Sequence, residues 1–294
     1  MELQYRQGYE DFTLTPLLYT QLTQFDIEDT SKSKGTRLYA EPGVTFPMNW
    51  AGGFLTPTAK VRSVAYNLDD DHSLPTANED SVGATIPMYS LDGGLYFDRD
   101  SNWFGSDYTH SLEPRLYYLY SEFENQSDQP IFDTGQRTFS YSQLFRESRF
   151  TGVDRIDDSN QISMGVTTRF INKATGVEHF NASIGQIRYF KDREVTTNGT
   201  ALIEDSSEVA GELMWQPIDG LRNRVSILYD HREHFVKQGA YKMTYIGDNN
   251  VIFNLGATYR NGSKSIDAST GEEIDSTTRQ SNVSTIFPIS RHWS

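Results

Sequence analysis

The sequence predicts an all-β chain: an antiparallel transmembrane β-barrel segment of about thirteen strands. Three observations point there. Apolar and polar residues alternate with period two almost throughout, short turns alternate with long polar connections, and strong helical periodicity is absent. The chain of 294 residues holds 17 Tyr, 17 Phe and 4 Trp, which argues against disorder although 22% of residues are charged.

The alternation is cleanest in 161–172. There Ile162, Met164, Val166, Thr168 and Phe170 share one face, opposite Ser163, Gly165, Thr167 and Arg169. The stretches 221–230 and 251–260 repeat it. A helix would need apolar residues at i, i+3, i+4 and i+7, and these stretches lack that pattern. Further strands are expected at 2–8, 14–25, 37–47, 55–68, 86–99, 112–123, 178–190, 209–217, 235–246 and 281–289. In 178–190 the apolar residues change face between Ile184 and Ile187, which reads as a bulge near Gln186. Pro42, Pro57, Pro87 and Pro114 fall inside strand-like stretches. Each removes a ladder donor, so either the wall is locally weakened there or the strands are shorter than drawn.

The connections divide into two sorts. Pro217-Ile218-Asp219-Gly220 carries an Asp-Gly hairpin signal, and 49–53 and 247–250 are equally brief. The others, 69–83, 125–160, 191–206 and 261–279, are long and polar. That sorting belongs to an outer-membrane barrel; a soluble sandwich or propeller has no physical reason for it and stands as the alternative. No apolar run is long enough for a transmembrane helix, which says nothing against a barrel.

Composition narrows the chemistry. Lys+Arg is 26 against Asp+Glu 40, a formal net charge of −14, so a nucleic-acid partner is not expected. There is no cysteine, which removes thiolate zinc sites, iron–sulfur clusters, cysteine nucleophiles and disulfides within this chain. Asp69-Asp70-Asp71-His72 lacks the Gly and distal Glu of an EF-hand and reads as a solvated loop tip. His231 and His234 have close spacing but no helix to present them, and Asp230, His231 and Ser226 show no orienting arrangement. No enzyme, metal or cofactor is expected.

Two stretches are more specific than periodicity. One is LEPRLYYLY at 112–120. The other is YSQLFRESRFTGVDRIDDSNQ at 141–161, leading into GVTTR at 165–169 and SIGQIRYF at 183–190. This ordered series resembles the barrel domain of the LptD family, lipopolysaccharide (LPS) assembly proteins of the Gram-negative outer membrane. The resemblance is strongest over 112–190, and FPISRHWS at 287–294 also looks like a family strand and turn.

The resemblance implies a periplasmic β-jellyroll that receives LPS through an LptA-like bridge, driven by an upstream ATPase. It implies a much larger barrel plugged by an LptE-like lipoprotein, with LPS leaving through a lateral opening between the first and last strands. Function on this reading is part of the outer-membrane translocon that inserts LPS into the outer leaflet. A general or substrate-specific porin is the alternative, and a soluble all-β binding module is a third class. The chain lacks the family's jellyroll, signal peptide, closing strands and inter-domain cysteines. Residues 1–294 are therefore expected to be an internal fragment of the barrel domain, since an open wall leaves unpaired edges in lipid.

Site expectations follow. Residues 125–160 form a long external loop whose many aromatics require packing. By resemblance it caps the lumen and touches the plug, with Tyr141, Leu144, Phe145, Arg146, Phe150, Asp154 and Arg155 as contact candidates. The plainer reading is a loop packed on its own wall, with Arg146, Arg149 and Arg155 paired to Glu147, Asp154 and Asp157. Arg169, Arg222, Arg224 and Arg260 lie opposite the apolar faces and should point into the barrel. There they meet LPS phosphates or the plug, or simply solvate a polar lumen. Apolar sets such as Ile162, Met164 and Val166 face membrane lipid.

Overall fold

A computed structural model of the chain describes residues 2–4, 7–9, 12–26, 33–70, 81–103, 105–247, 251–262, 264–266 and 273–287. The ending at 288–294, like Asp71 and His72 of the acidic run, lies outside the described residues. Period-two alternation becomes strand nearly everywhere. In chain order the strands are β1 (Glu2–Gln4), β2 (Gln7–Tyr9), β3 (Phe12–Phe25), β4 (Lys34–Thr45), β5 (Met48–Trp50), β6 (Gly53–Asp70) and β7 (Ser81–Leu95). Then come β8 (Phe97–Trp103), β9 (Ser106–Ser121), β10 (Gly135–Gln136), β11 (Phe150–Thr151), β12 (Ser159–Asn172) and β13 (Glu178–Tyr189). The series ends with β14 (Val209–Ile218), β15 (Leu221–Asp230), β16 (Phe235–Ile246), β17 (Ile252–Arg260), β18 (Lys264–Ile266), β19 (Glu273–Asp275) and β20 (Thr278–Ile286).

The main sheet has 16 strands along the path β1-β3-β4-β6-β7-β9-β12-β13-β14-β15-β16-β17-β20, with β2, β5 and β8 pairing β3, β6 and β9. That path holds the thirteen strands expected from alternation. Among the described residues its two ends, β1 and β20, do not pair with each other, so the sheet is open. Such an open antiparallel sheet is consistent with a fragment of a larger β-barrel.

The four prolines sit inside strands, so the strands are not shortened by them. Pro57 and Pro87 stand in an unbroken β6–β7 register, whereas Pro42 and Pro114 coincide with gaps in a ladder. Pairing of β4 with β6 stops at Ala40↔Ser63 and resumes at Gly43↔Lys60, skipping Pro42. Pairing of β9 with β7 stops at Gly94↔Arg115 and that with β8 begins at Phe97↔Leu112; Pro114, which has no N–H, lies in the gap. The strand expected at 86–99 is accordingly two strands, and β9 starts at Ser106.

The bulge expected near Gln186 is absent from β13. Gly185, Ile187 and Tyr189 are buried while Ile184, Arg188 and Phe190 are exposed, an unbroken alternation. The pairing register nevertheless shifts by one here, from Gly185↔Ala210 to Arg188↔Ser206, so the extra residue lies in the partner segment 206–210 and not in β13.

Short turns join β14 to β15 and β16 to β17, and long connections span 122–158, 190–208 and 261–277. One connection departs from the pattern: only 231–234 separates β15 from β16. The loop expected at 125–160 ends two residues earlier, since Ser159 and Asn160 already belong to β12.

Two compact units divide the chain. The first holds Met1–Leu95, Arg115–Met164 and Ile187–Ser206; the second holds Tyr96–Pro114, Gly165–Gln186 and Ser207–Ser294. The first contains the apolar core, which lies between strands and the 122–158 connection. Tyr39, Val64, Tyr66, Leu68, Val82, Ala84 and Ile86 pack with Ile156, Phe132 and Val153. Met88, Tyr117 and Leu119 pack with Phe145, and Ile187 and Tyr189 with Leu144, Phe139 and Tyr141. In the second unit Trp103, Tyr108, Phe170 and Phe180 form an aromatic cluster with ring centroids 4.8–6.3 Å apart.

Candidate functional site

The 122–158 connection is held on one face of β4, β6, β7 and β9 by charges that these strands present at alternate positions. Arg37 on β4, Lys60 and Arg62 on β6 and Asp92 on β7 share that face with the buried apolar residues. This face is part apolar and part charged, because it packs against the folded connection.

Asp154 is the centre of the docking. Its Oδ2 accepts the backbone N–H groups of Phe132, Asp133 and Thr134 at 2.8–3.0 Å. Its Oδ1 accepts the Tyr66 hydroxyl at 3.1 Å and the Arg37 guanidinium. Arg37 also forks onto Asp133 at 2.7 and 2.8 Å and lies over the Phe25 ring, which stacks on Phe132 at 4.1 Å. Burial alone would raise the Asp154 carboxyl, but the N–H donors and Arg37 outweigh it and hold it below the ordinary carboxylate range.

A second cluster joins Glu147 of the connection to the wall. Lys60 and Arg62 each bridge Glu41 and Glu147 at 2.8–3.0 Å. Four charges of balanced sign thus satisfy one another. A third anchor is Arg115, bound to Asp92 at 2.6 Å with its guanidinium 4.2 Å from the Phe145 ring centroid.

The connection also ties to itself. Arg149 binds Asp157 at 2.5 Å and Asp158 at 3.2 Å, and the paired carboxylates raise its pKa against the opposing effect of burial. Burial pushes Asp158 up, although it accepts N–H groups of Glu194 and Val195 at 2.7 and 3.1 Å. Arg155 donates to the carbonyls of Gln129, Pro130 and Asp154 at 2.8–3.0 Å. Burial lowers its pKa. Of the ion pairs expected within the loop, only Arg149–Asp157 forms. Asp154 pairs with Arg37 and Glu147 with Lys60 and Arg62, all from the wall.

These contacts sort the seven contact candidates. Leu144, Phe150, Asp154 and Arg155 are buried in the chain's own packing, with the Ser163 hydroxyl donating to the Leu144 carbonyl. Tyr141 and Phe145 are half-buried and meet edge-to-face at 5.8 Å, and Arg146 is exposed. Sequence reasoning missed Arg37, Glu41, Lys60, Arg62 and Asp92. Their signal was charge recurring at the same parity as Tyr39, Val64 and Tyr66. It also missed Gly152, whose φ is +69° and whose Cβ would lie 2.6 Å from Asp133 Oδ1.

In the second unit Arg169 bridges Glu113 at 3.1 Å and Glu178 at 2.9 Å. Arg222 and Arg224 project to the same face of β15 as Ser226, Leu228 and Asp230, and Arg260 pairs in register with Gln238 and Thr278. Asp230 caps the 231–234 turn, accepting the N–H groups of Arg232 and Glu233 at 2.9 and 3.2 Å and pairing with the Arg232 guanidinium at 3.2 Å. Among the described residues no group of three His, Cys, Asp or Glu could hold a metal ion.

Comparison with known proteins decides the family. The family model "LptD: LPS transport system D" matches residues 1–293. The chain belongs to the LptD family. The LPS-assembly protein LptD of Hahella chejuensis is 39% identical over 258 residues, 87% of this chain and 30% of the relative. That of Marinobacter nauticus is 37% identical over 296 residues, covering 98% and 35%, and that of Pseudomonas syringae is 39% identical over 263 residues, covering 85% and 28%. The chain thus spans about a third of the length of the curated relatives it matches. LptD proteins are outer-membrane components of Gram-negative bacteria and belong to a transport system, the LPS transport system, and not to an enzyme family.

Proposed function

We propose that this chain forms part of the wall of the outer-membrane translocon that inserts LPS into the outer leaflet. The observation behind this reading is family membership across residues 1–293 together with an open antiparallel wall. On this reading the face bearing Arg37, Arg62, Arg169 and Arg224 is the barrel lumen, and the 122–158 connection is an external loop folded into it. The opposite face, with Met164, Ile184 and Leu213 exposed, meets membrane lipid.

The partners follow from the same reading: an LptE-like plug lipoprotein inside the barrel, LPS as cargo, and an LptA-like bridge that delivers it to a jellyroll. Plug contact falls to the solvent-accessible part of the connection, Tyr141, Phe145 and Arg146. Leu144, Phe150, Asp154 and Arg155 support that surface from beneath.

The test is depletion of the protein in its own cells, followed by quantification of LPS in the outer leaflet. Loss of surface LPS with accumulation upstream is the expected result. Normal surface LPS with altered solute uptake would make the protein a porin and overturn the reading.

A further inference from the structure

In the second unit the aromatic cluster stands at the end of the sheet where the turns are short. β8 and β9 meet there at Trp103↔Ser106, and Lys173 N–H donates to the Asp107 carbonyl at 2.9 Å, tying the β12–β13 turn beside them. Phe180 pairs in register with Trp215, close to the β14–β15 turn. Aromatic rings gathered at one end of spanning strands mark a membrane–water interface. His110 joins the cluster by stacking on Phe170, with ring centroids 4.1 Å apart. It shares its parity with exposed Leu112, and Phe180 shares its parity with exposed Ile184.

One cation stands on that face beside the rings. Arg99 on β8 is the direct cross-strand partner of His110, and its Nε donates to His110 Nδ1 at 2.9 Å. The hydrogen bonds set the imidazole tautomer. The Thr168 hydroxyl donates to the Ser111 carbonyl at 2.9 Å, so it accepts from His110 Nε2 at 2.8 Å. Nδ1 therefore carries no proton and holds the Arg99 Nε–H. A neutral ring thus orients the guanidinium without cancelling its charge. Among the described residues Nη1 and Nη2 of Arg99 have no partner, and no carboxylate lies within ion-pair distance. Asp98 and Asp100 alternate to the other face of β8, and Lys173 binds Asp100 at 2.5 Å. Arg279, near the opposite end of the outward face, lies over the Tyr259 ring with no acceptor among the described residues to orient it.

We propose that Arg99 and His110 form a headgroup site for an anionic glycerophospholipid of the periplasmic leaflet. Short turns mark the periplasmic end of an outer-membrane barrel. The unused fork of Arg99 matches two oxygens of a phosphodiester. Phe97 and Leu112, exposed on the membrane side of Arg99, meet the acyl chains. Ser101, two residues towards the turn on the same face, offers its hydroxyl to a headgroup glycerol. A zwitterionic headgroup fits less well, because Asp98 and Asp100 are on the other face and leave its ammonium without a partner. The proposal rests on the reading that this face of the wall meets lipid.

The experiment titrates the protein, purified in detergent from its own outer membrane, and counts bound lipid by native mass spectrometry. The probes are phosphatidylglycerol, phosphatidylethanolamine and the chain-free headgroup glycerophosphoglycerol. The first phosphatidylglycerol is expected to bind about tenfold more tightly than the first phosphatidylethanolamine. Arg99→Gln is expected to remove that preference. His110→Phe, which keeps the ring stack but not the acceptor, is expected to reduce it. Equal binding of the two lipids by the unmodified protein, which needs no variant to fold, would overturn the site. A preference that survives Arg99→Gln would overturn it too. Glycerophosphoglycerol displacing the lipid at equal concentration would show a bare anion site and overturn the lipid assignment. A photo-crosslinker at Ser101 in cells is expected to capture phospholipid; capture of LPS or of protein alone would overturn the assignment. The same crosslinker at Ile184 separates the two claims. Lipid captured at Ile184 with no preference in vitro fails the site alone. No lipid captured at Ile184 with the preference intact fails the lipid-face reading alone.

Discussion

Arg37 and Asp154, 117 residues apart in sequence, meet with both side chains wholly shielded from solvent. The pair fixes the long connection to the strand wall, and Asp154 simultaneously caps three backbone N–H groups of the connection. Removing one partner strands a buried charge. Asp154→Ala is therefore expected to cost about 3–5 kcal/mol. The change should appear as a lower melting midpoint of the heat-modifiable band and as new protease cleavage within 122–158. An unchanged cleavage pattern would mean the connection is held chiefly by the Glu147 and Arg115 anchors.

Acid should loosen the same contact. The folded Asp154 carboxyl lies below its ordinary value, so the stabilisation is complete above the unfolded carboxylate pKa of about 3.9 and is lost as pH falls through the folded value. Asp158, which burial pushes up, shifts the other way and cannot be the source of acid loosening. Protease protection of 122–158 measured from pH 6 to pH 3 should fall only below about pH 4. In an Asp154→Asn variant that acid step should disappear.

Gly152 allows the backbone of the connection to turn at positive φ beside Asp133 and Thr134. A methyl group there would collide with Asp133 Oδ1, which is bound by Arg37. Gly152→Ala is expected to destabilise by more than about 1 kcal/mol, from backbone strain plus displacement of Asp133. Folded yield in detergent and protease protection report it. Full protection would show that the turn can relax.

Arg169 is already neutralised by two glutamates and is about a third exposed. Its removal should cost no more than about 1 kcal/mol. Arg169→Ala should therefore reduce barrel yield and LPS delivery in the same proportion. A loss of delivery at unchanged yield would assign Arg169 a direct part in transport.

Photo-crosslinkers distinguish surface from support within the connection. At Phe145 and Arg146 they should capture a lipoprotein of the plug type. At Leu144 and Asp154 they should reach only this chain or reduce its folded yield. Capture from the buried positions at normal yield would mean that the connection opens in the membrane.

Much of the wall was legible in the residues. Period-two alternation gave the strands and the parity of each face, because a strand's side chains alternate whatever the strand packs against. It put Arg222, Arg224 and Arg260 opposite Val225, Ile227 and Tyr259, as the register does. The ordered series at 112–120, 141–161, 165–169 and 183–190 pointed to the family.

Alternation alone did not reveal what covers a face. At Ile187 and Tyr189 it placed the irregularity near Gln186 but not the strand that carries it: the extra residue lies in the partner segment 206–210, and alternation of burial within β13 is unbroken. Pairings expected among loop neighbours went mostly to the wall, since Asp154 and Glu147 find their cations 85 to 117 residues away. Sequence by itself determined local geometry and family, because both are written in short-range residue order. Only the tertiary structure decided which charges neutralise one another and which, like Arg99, keep no carboxylate partner among the described residues. That outcome depends on strand register and on where a long connection comes to rest.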